Sequence, residues 1–176
     1  MFYPSYRVHT KPAASNGFVI DKNGKVFSNG SKIFVNIDKK MFSNTNIDKL
    51  GITKQDPNSS LYVITDKDKM MTQIELKYKE NGIKLHRDTK LLIYNYISKA
   101  QGGGTKLDQS KVGVPGLHAE VLALNDLYNK VGGKNKIKKG YLQTFYSKGK
   151  PGPFPACDNC KSIIPSNFSI ITGKTK

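Results

Sequence analysis

The stretch HAEVLALNDLYNKV at residues 118–131 combines a clear helical pattern with the most reactive side chains of the chain. Its apolar residues recur every three or four positions, which predicts a helix over residues 116–131 that Gly132 and Gly133 end. His118 and Glu120 are two positions apart, so they point in different directions from such a helix. The recurring apolar residues, which we expect to pack in the core, are Leu117, Val121, Leu124, Tyr128 and Val131.

The only two cysteines of the chain, Cys157 and Cys160, follow further along in CxxC spacing. With His118 they supply three metal ligands, and Glu120 supplies a carboxylate suited to moving protons. A structural zinc site is normally closed by four protein ligands, whereas a catalytic site has three and binds water in the fourth position. At the first turn of a helix, the helix dipole favours cysteines as thiolates. We therefore predict one catalytic zinc ion per chain.

Each half of this pattern also has a simpler interpretation. A single CxxC can be a redox pair or half of a structural zinc site, and an HxE triplet is common by chance. A redox CxxC is expected near the start of a domain, however, and this one lies near the end of the chain. A fourth ligand for a structural zinc could only be His9 or His86. Taken together, the two halves favour the catalytic site.

The HAE triplet, an intervening strand and a proline-led CxxC resemble the zinc-dependent nucleobase deaminase superfamily. Within it, the HAEVLALN stretch at residues 118–125 and the segment from Ser162 to Gly173 are similar to the YwqJ-like group of bacterial toxin deaminases. The resemblance covers residues 112–173 well. Two departures are visible: Ala156 separates Pro155 from Cys157, and the chain ends soon after the fourth expected strand, so the usual fifth strand is missing or comes from elsewhere.

The resemblance implies a hydrolytic deaminase in which zinc, held by His118, Cys157 and Cys160, activates water and Glu120 transfers protons. It implies a cytidine-deaminase-like three-layer α/β (α+β) fold, with a mixed central sheet flanked by helices that carry HAE and CxxC. It also implies a toxin, delivered into a target cell as the C-terminal part of a larger effector and countered by an immunity protein. We assign substrate contacts to Asn125, Tyr146, Lys148, Phe154 and Pro155.

The formal net charge of +16 favours a polyanionic partner. Between Asp126 and Asp158 there is no acidic residue, and lysines alternate with aromatic residues. Lysines that follow a phosphate backbone and rings that stack on bases are the two components of single-strand or flipped-base binding. We therefore predict nucleic acid as substrate, DNA in preference to RNA. The resemblance implies cytosine, in preference to adenine, as the base. The simpler alternative is a solvated lysine-rich face.

Neither a membrane nor a secretory pathway is indicated by the sequence itself. No apolar run approaches the length needed to cross a bilayer. Residues 1–4 lack the basic and then apolar start of a signal peptide, and two cysteines in CxxC spacing do not form a disulfide framework. We expect a soluble chain whose compartment tolerates thiolates.

The remaining segments predict a β-rich extension or pre-toxin segment over residues 1–60 and the zinc-dependent deaminase domain over residues 61–176. In the first part we expect a hairpin at 18–27 around Asn23-Gly24, a strand at 32–37, and a loop at 41–60 with a short helix near 46–50. In the second part we expect strands at 62–64, 91–97, 141–146 and 168–172, and a helix at 157–164. The alternation of Ile74, Leu76 and Tyr78 with charged residues predicts a hairpin at 74–85 that opens the catalytic sheet.

Two other function classes stay open on the sequence. A metabolic deaminase of free nucleosides or nucleotides would leave the basic stretch without a role in catalysis. A zinc module that binds nucleic acid without catalysis would use the same ligands but would not need Glu120.

Overall fold

This computed structural model describes residues 13–39, 41, 47–59, 61–101, 107–108, 113–146 and 158–172. Its strands are β1 (Ala13–Asp21), β2 (Val26–Ser28), β3 (Phe34–Val35), β4 (Ile52–Lys54), β5 (Leu61–Ile64), β6 (Leu107–Asp108), β7 (Ile137–Tyr146) and β8 (Phe168–Thr172). Its α-helices are α1 (Lys67–Glu80), α2 (Arg87–Gln101), α3 (Ala119–Val131) and α4 (Asp158–Ile163). A 3-10 turn, Lys134–Lys136, precedes β7.

The larger sheet has the order β2-β1-β7-β8, and β3 also pairs with β1. The pairs β1–β2, β1–β3 and β1–β7 are antiparallel, whereas β7 and β8 run parallel. A parallel pair needs a crossover connection, and here the connection contains α4. This mixed sheet with flanking helices confirms the predicted α+β fold class.

The hairpin predicted around Asn23-Gly24 is present and joins β1 to β2. Phe18, Val19 and Ile20 face Ser28, Phe27 and Val26 in the register of the pair. Asp21 Oδ1 accepts hydrogen bonds from the N–H groups of Asn23 and Lys25, and Gly24 has a φ of 86°. Such a φ favours glycine, so the sequence could specify this turn locally.

The N-terminal strands β1, β2 and β3 belong to the same sheet as β7 and β8, which follow helix α3 in the chain. β1 pairs with β7 from Ala13 opposite Tyr146 to Asp21 opposite Ile137. The smaller sheet, in the order β4-β5-β6, joins the two sides of the predicted boundary at residue 60, because β4 pairs with β5. Strands therefore pair across residue 60. The division of the chain at that residue into an extension and a deaminase domain stays a prediction.

The hairpin predicted at residues 74–85 is wrong, because residues 67–80 form helix α1. Asp66 caps its first turn by accepting from the N–H groups of Asp68 and Lys69. The helix ends in a Schellman motif at Gly82, where the N–H of Ile83 bonds to Tyr78 O. The Asn81-Gly82 pair therefore ends a helix instead of turning a hairpin. The buried side chains of this helix are Met70, Met71, Ile74 and Tyr78.

The strand predicted at residues 91–97 is also wrong, since this segment lies inside helix α2. Its apolar residues follow a helical period, and Leu91 is left exposed. If this segment were a central strand, residues next to each other in the sequence would both be buried, one on each face of the sheet. The four apolar residues that this helix buries are Ile93, Tyr96, Ile97 and Ala100.

Helix α3 lies against β1 and β7 of the larger sheet, and the burial predicted for its apolar residues is confirmed. Leu117, Val121, Leu124 and Tyr128 are fully buried, and Val131 packs at the edge of the same core. Each such side chain stabilises the fold by roughly 1.5–3 kcal/mol through loss of apolar surface from water. The helix ends at Gly132, whose φ of 98° is left-handed. This packing fixes where the first turn of α3 points its side chains.

The other predicted elements are confirmed, most with changed bounds. β5 and β7 extend the strands predicted at 62–64 and 141–146, and β8 has the predicted bounds 168–172. β3 and α4 are shorter than the strand predicted at 32–37 and the helix predicted at 157–164. Within the predicted loop at 41–60, the structure instead has strand β4, and residues 47–50 form a turn. In the described part of the chain, no helix is long and apolar enough to span a bilayer.

Candidate metal centre

His118 stands at the N-cap of helix α3 but does not cap the helix with its side chain. Its backbone is extended, with φ −91° and ψ 159°. The first N–H of the helix, that of Ala119, is instead taken by Asn36 Oδ1 at 2.8 Å. Because another residue caps the helix, the imidazole can point away from the helix end.

The imidazole of His118 lies between an aspartate and a cysteine. Its Nε2 is 2.7 Å from Asp38 Oδ2, and its Nδ1 is 3.8 Å from Cys160 Sγ. All three side chains are buried, with exposed fractions of 6% for His118, 8% for Asp38 and 1% for Cys160. The fold thus brings together residues that are 80 and 42 positions apart in the chain.

The distance between Nδ1 and Sγ fits two ligands of one zinc ion. In a tetrahedral zinc site a thiolate sulfur and an imidazole nitrogen lie roughly 3.6 Å apart, because the two bonds are about 2.3 and 2.1 Å long. The donor types also suit zinc, which binds both thiolates and neutral imidazoles. Within the residues that the structure describes, no group of three side chains forms a complete metal site. Cys157, the third predicted ligand, lies outside those residues.

Glu120 is the second residue of α3 and is 3% exposed. A carboxylate in the first turn is favoured by the helix dipole, yet burial of a charged group is costly unless it is compensated. Its position two residues after His118 places it at the same end of the same helix. These features suit a carboxylate that serves a buried site rather than the protein surface.

Helix α1 holds the loop that leads into the HAE stretch. The hydroxyl of Tyr78 donates a hydrogen bond to Gly116 O at 2.8 Å. Burial raises the pKa of Tyr78 well above its ordinary value, and negative charge on Cys160 raises that pKa further. The phenol therefore stays neutral and remains a hydrogen-bond donor at physiological pH. Helix α1, which forms where the alternation pattern predicted a hairpin, thus supports the site.

Gly113 packs directly on the His118–Asp38 pair. A Cβ at this position would lie 2.2 Å from Asp38 Oδ2 and 2.5 Å from His118 Nε2. Its φ is 61°, in the left-handed region that favours glycine. Both the space and the backbone conformation therefore require glycine here.

We expect Gly113→Ala to lower the free energy of unfolding by about 3 kcal/mol. Roughly 1 kcal/mol comes from the left-handed backbone and about 2 kcal/mol from crowding of the buried pair. Gly30→Ala is the matched control, because Gly30 has a φ of 66° and open space around its Cβ position. Urea unfolding of both variants measures the difference. Equal losses in the two variants would show that Gly113 does not constrain the pair.

The remaining predicted site residues have different placements. Asn125 is fully buried, and its amide accepts from His86 N and donates to Lys84 O, both at 2.8 Å. It braces the segment at 84–86, and its assignment as a substrate contact stays a prediction. Tyr146 ends β7, and its side chain is not among those described. Lys148, Phe154 and Pro155 lie outside the described residues.

His86, the alternative zinc ligand, is engaged elsewhere. Its Nδ1 accepts a hydrogen bond from Asp88 N at 2.9 Å, and its ring packs against Tyr128. His9, the other alternative, lies outside the described residues.

The basic and aromatic stretch between Asp126 and Asp158 divides into core and surface. Tyr128 is buried against Phe168, so it is a core residue. Tyr141 stacks on Phe18 with ring centroids 4.9 Å apart, and Lys139 Nζ lies 5.6 Å from the Tyr141 ring. The exposed lysines of the described part of this stretch are Lys130, Lys134, Lys136 and Lys138.

Asp38, Asn36, Gly113 and Tyr78 were not predicted from the sequence as site residues. Each contacts at least one residue far away in the chain, and none belongs to a motif. The only local signal was the pair of polar residues, Asn36 and Asp38, at the end of the strand predicted at 32–37. Such a signal is common at strand ends.

Comparison with known proteins relates this chain to a toxin subunit. Over 144 residues, 77% of the chain, it is 31% identical to the toxin subunit YenC2 of Yersinia entomophaga. The match spans only 14% of the length of YenC2. No protein-family model matches the chain, and no solved structure is significantly similar to it.

Proposed function

We propose that this chain is the catalytic part of a toxin, a zinc-dependent deaminase that converts a nucleobase, cytosine in preference to adenine, in nucleic acid. The observation that carries the proposal is the 3.8 Å approach of His118 Nδ1 to Cys160 Sγ in a buried site. Glu120 lies in the first turn of the helix that His118 precedes, and it is buried as well. The similarity to a toxin subunit supports the biological role, and the chemistry rests on the residues themselves.

His118, Cys157 and Cys160 would hold the zinc ion, and Glu120 would move the protons. Bound zinc supplies Lewis acidity that makes water a nucleophile near neutral pH. Glu120 would take a proton from the attacking water and deliver it to the ring nitrogen next to the reacting carbon. In the net reaction, water replaces the exocyclic amino group, which leaves as ammonia, so that cytosine becomes uracil. Burial of the Glu120 side chain strengthens the electrostatic effect of its carboxylate.

Positive charge supports nucleic acid as the substrate. The net charge is +16, and the described lysines between Asp126 and Asp158 lie mostly at the surface. Lysines that contact phosphates release counterions, so binding and activity at low substrate concentration fall as salt rises. We propose DNA rather than RNA, and we expect an immunity protein to protect the producing cell. Delivery as part of a larger effector agrees with the small share of YenC2 that the match covers.

Sequencing after incubation tests this function. Purified protein is incubated with single-stranded DNA, double-stranded DNA and RNA, and the pools are sequenced for C-to-T and A-to-G changes. We expect C-to-T changes in DNA that decrease by about tenfold or more between 50 and 200 mM salt. Salt-insensitive activity on free nucleosides alone would contradict the nucleic-acid assignment. Zinc-loaded protein that leaves both nucleic acids and nucleosides unchanged would contradict deamination.

A further inference from the structure

We infer that Asp38 is a positioning residue that sets His118 as a zinc ligand. The inference rests on the proposed zinc site and adds a residue from the N-terminal part of the chain. The carboxylate of Asp38 is 2.7 Å from His118 Nε2, on the side of the ring opposite to Cys160. Asp38 contacts the imidazole directly, so we assign it an effect on the metal site through the imidazole.

The chemistry of the pair decides which ring nitrogen is available. A neutral imidazole has one N–H group, and an ionised carboxylate can only accept hydrogen bonds. His118 therefore donates from Nε2 to Asp38, which leaves the lone pair on Nδ1, the nitrogen that faces Cys160. Carboxylates that accept from the second nitrogen of a metal-binding histidine fix its tautomer and raise its basicity.

Asp38 is itself held in place. The same oxygen, Oδ2, accepts a second hydrogen bond from Val114 N at 2.9 Å. Both bonds are buried, so water does not compete for the carboxylate. Because two donors converge on one oxygen, the position of that oxygen is well defined, and so is the orientation of the imidazole.

Three successive residues attach this segment to the HAE stretch. Asn36 Oδ1 caps Ala119 N, Ile37 N donates to Leu117 O at 2.9 Å, and Asp38 holds the ring of His118. The segment follows β3, which pairs with β1 of the larger sheet. The geometry of the metal site therefore depends on residues before position 60, although both predicted motifs lie far beyond it.

Zinc affinity of Asp38 variants tests the inference. We expect Asp38→Ala to bind zinc about 10–100-fold more weakly than wild type in a chelator competition, the range for loss of an outer-shell partner. Asp38→Asn can keep both hydrogen bonds through its amide oxygen but loses the charge, so its affinity should lie between the two. Circular dichroism of each metal-free variant confirms that only folded protein is compared.

Asp88→Ala is the matched control. Asp88 is 8% exposed, as Asp38 is, accepts a backbone hydrogen bond from Lys134 N, and lies 3.8 Å from a histidine, His86. Its loss should lower stability without changing zinc affinity. If the Asp38 and Asp88 variants both bound zinc as tightly as wild type, the role of Asp38 would be overturned, whereas the zinc site itself would stand. Failure of the wild-type chain to bind zinc would overturn the proposed function together with this inference.

If Asp38→Ala does not fold, the tautomer itself remains measurable. Ring-nitrogen NMR of metal-free protein should show the proton of His118 on Nε2 in wild type. In Asp38→Asn, which retains the volume of the side chain, we expect a larger fraction with the proton on Nδ1. A wild-type ring protonated mainly on Nδ1 would contradict the inference.

Discussion

Glu120→Gln is expected to lower the rate of deamination by about 10²–10⁴-fold, the contribution typical of a positioned general acid–base group. Glutamine has nearly the same shape as glutamate but cannot accept and return a proton. Because Glu120 is not among the predicted zinc ligands, the variant should still bind one zinc ion per chain. Ammonia release and zinc content, measured on the same preparation, separate these two effects.

Glu75→Gln provides the control for Glu120→Gln. Glu75 is also a helical glutamate, but it is half-exposed and pairs with Lys90 at 3.2 Å on the surface. An exposed pair of this kind contributes little to stability, so activity and folding should stay at wild-type levels. Deamination by Glu120→Gln at the wild-type rate would remove Glu120 from the mechanism.

His118→Ala should abolish tight zinc binding and, with it, all activity. The imidazole supplies the one nitrogen ligand of the predicted set, and its Nδ1 faces Cys160 at 3.8 Å. Loss of a direct ligand should weaken binding by more than the roughly 100-fold upper range for outer-shell partners. Zinc content after dialysis against a weak chelator measures this loss.

His86→Ala separates a loss of zinc from a general loss of structure. His86 also lies near an aspartate, Asp88, and packs on Tyr128, so its removal disturbs the core. We expect this variant to be less stable than wild type but to bind one zinc ion. If His86→Ala lost zinc and His118→Ala retained it, the histidine ligand would be His86 and not His118.

Helix α1 shows where a local pattern is ambiguous. Ile74, Leu76 and Tyr78 alternate with charged residues, which is typical of a half-buried strand. The same segment carries Met70, Ile74 and Tyr78 at a spacing of four, and these are the residues that the fold buries. Leu76, which the strand pattern places inward, is exposed. When the apolar pattern is considered from the helix-capping residue Asp66 onward, it favours the helix.

Residues of the candidate site differ in how far the sequence could predict them. The helix that begins after His118 follows from its own apolar spacing and from the glycines that end it. The contact between His118 and Asp38 spans 80 positions and brings together helix α3 and the segment after β3, which pairs with β1. No local propensity encodes such a contact, because strand pairing between distant segments is decided by the packing of the whole sheet. Ligation by Cys157 stays a prediction of the motif alone.

Ammonia release from a mixture of single-stranded DNA, RNA and free nucleosides tests the central claim most directly. The protein used should carry one zinc ion per chain, as measured on the same sample. We predict ammonia in proportion to the amount of wild-type protein, and none above background with Glu120→Gln. A zinc-loaded wild-type protein that releases no ammonia from any component would contradict the assignment of this chain as a deaminase.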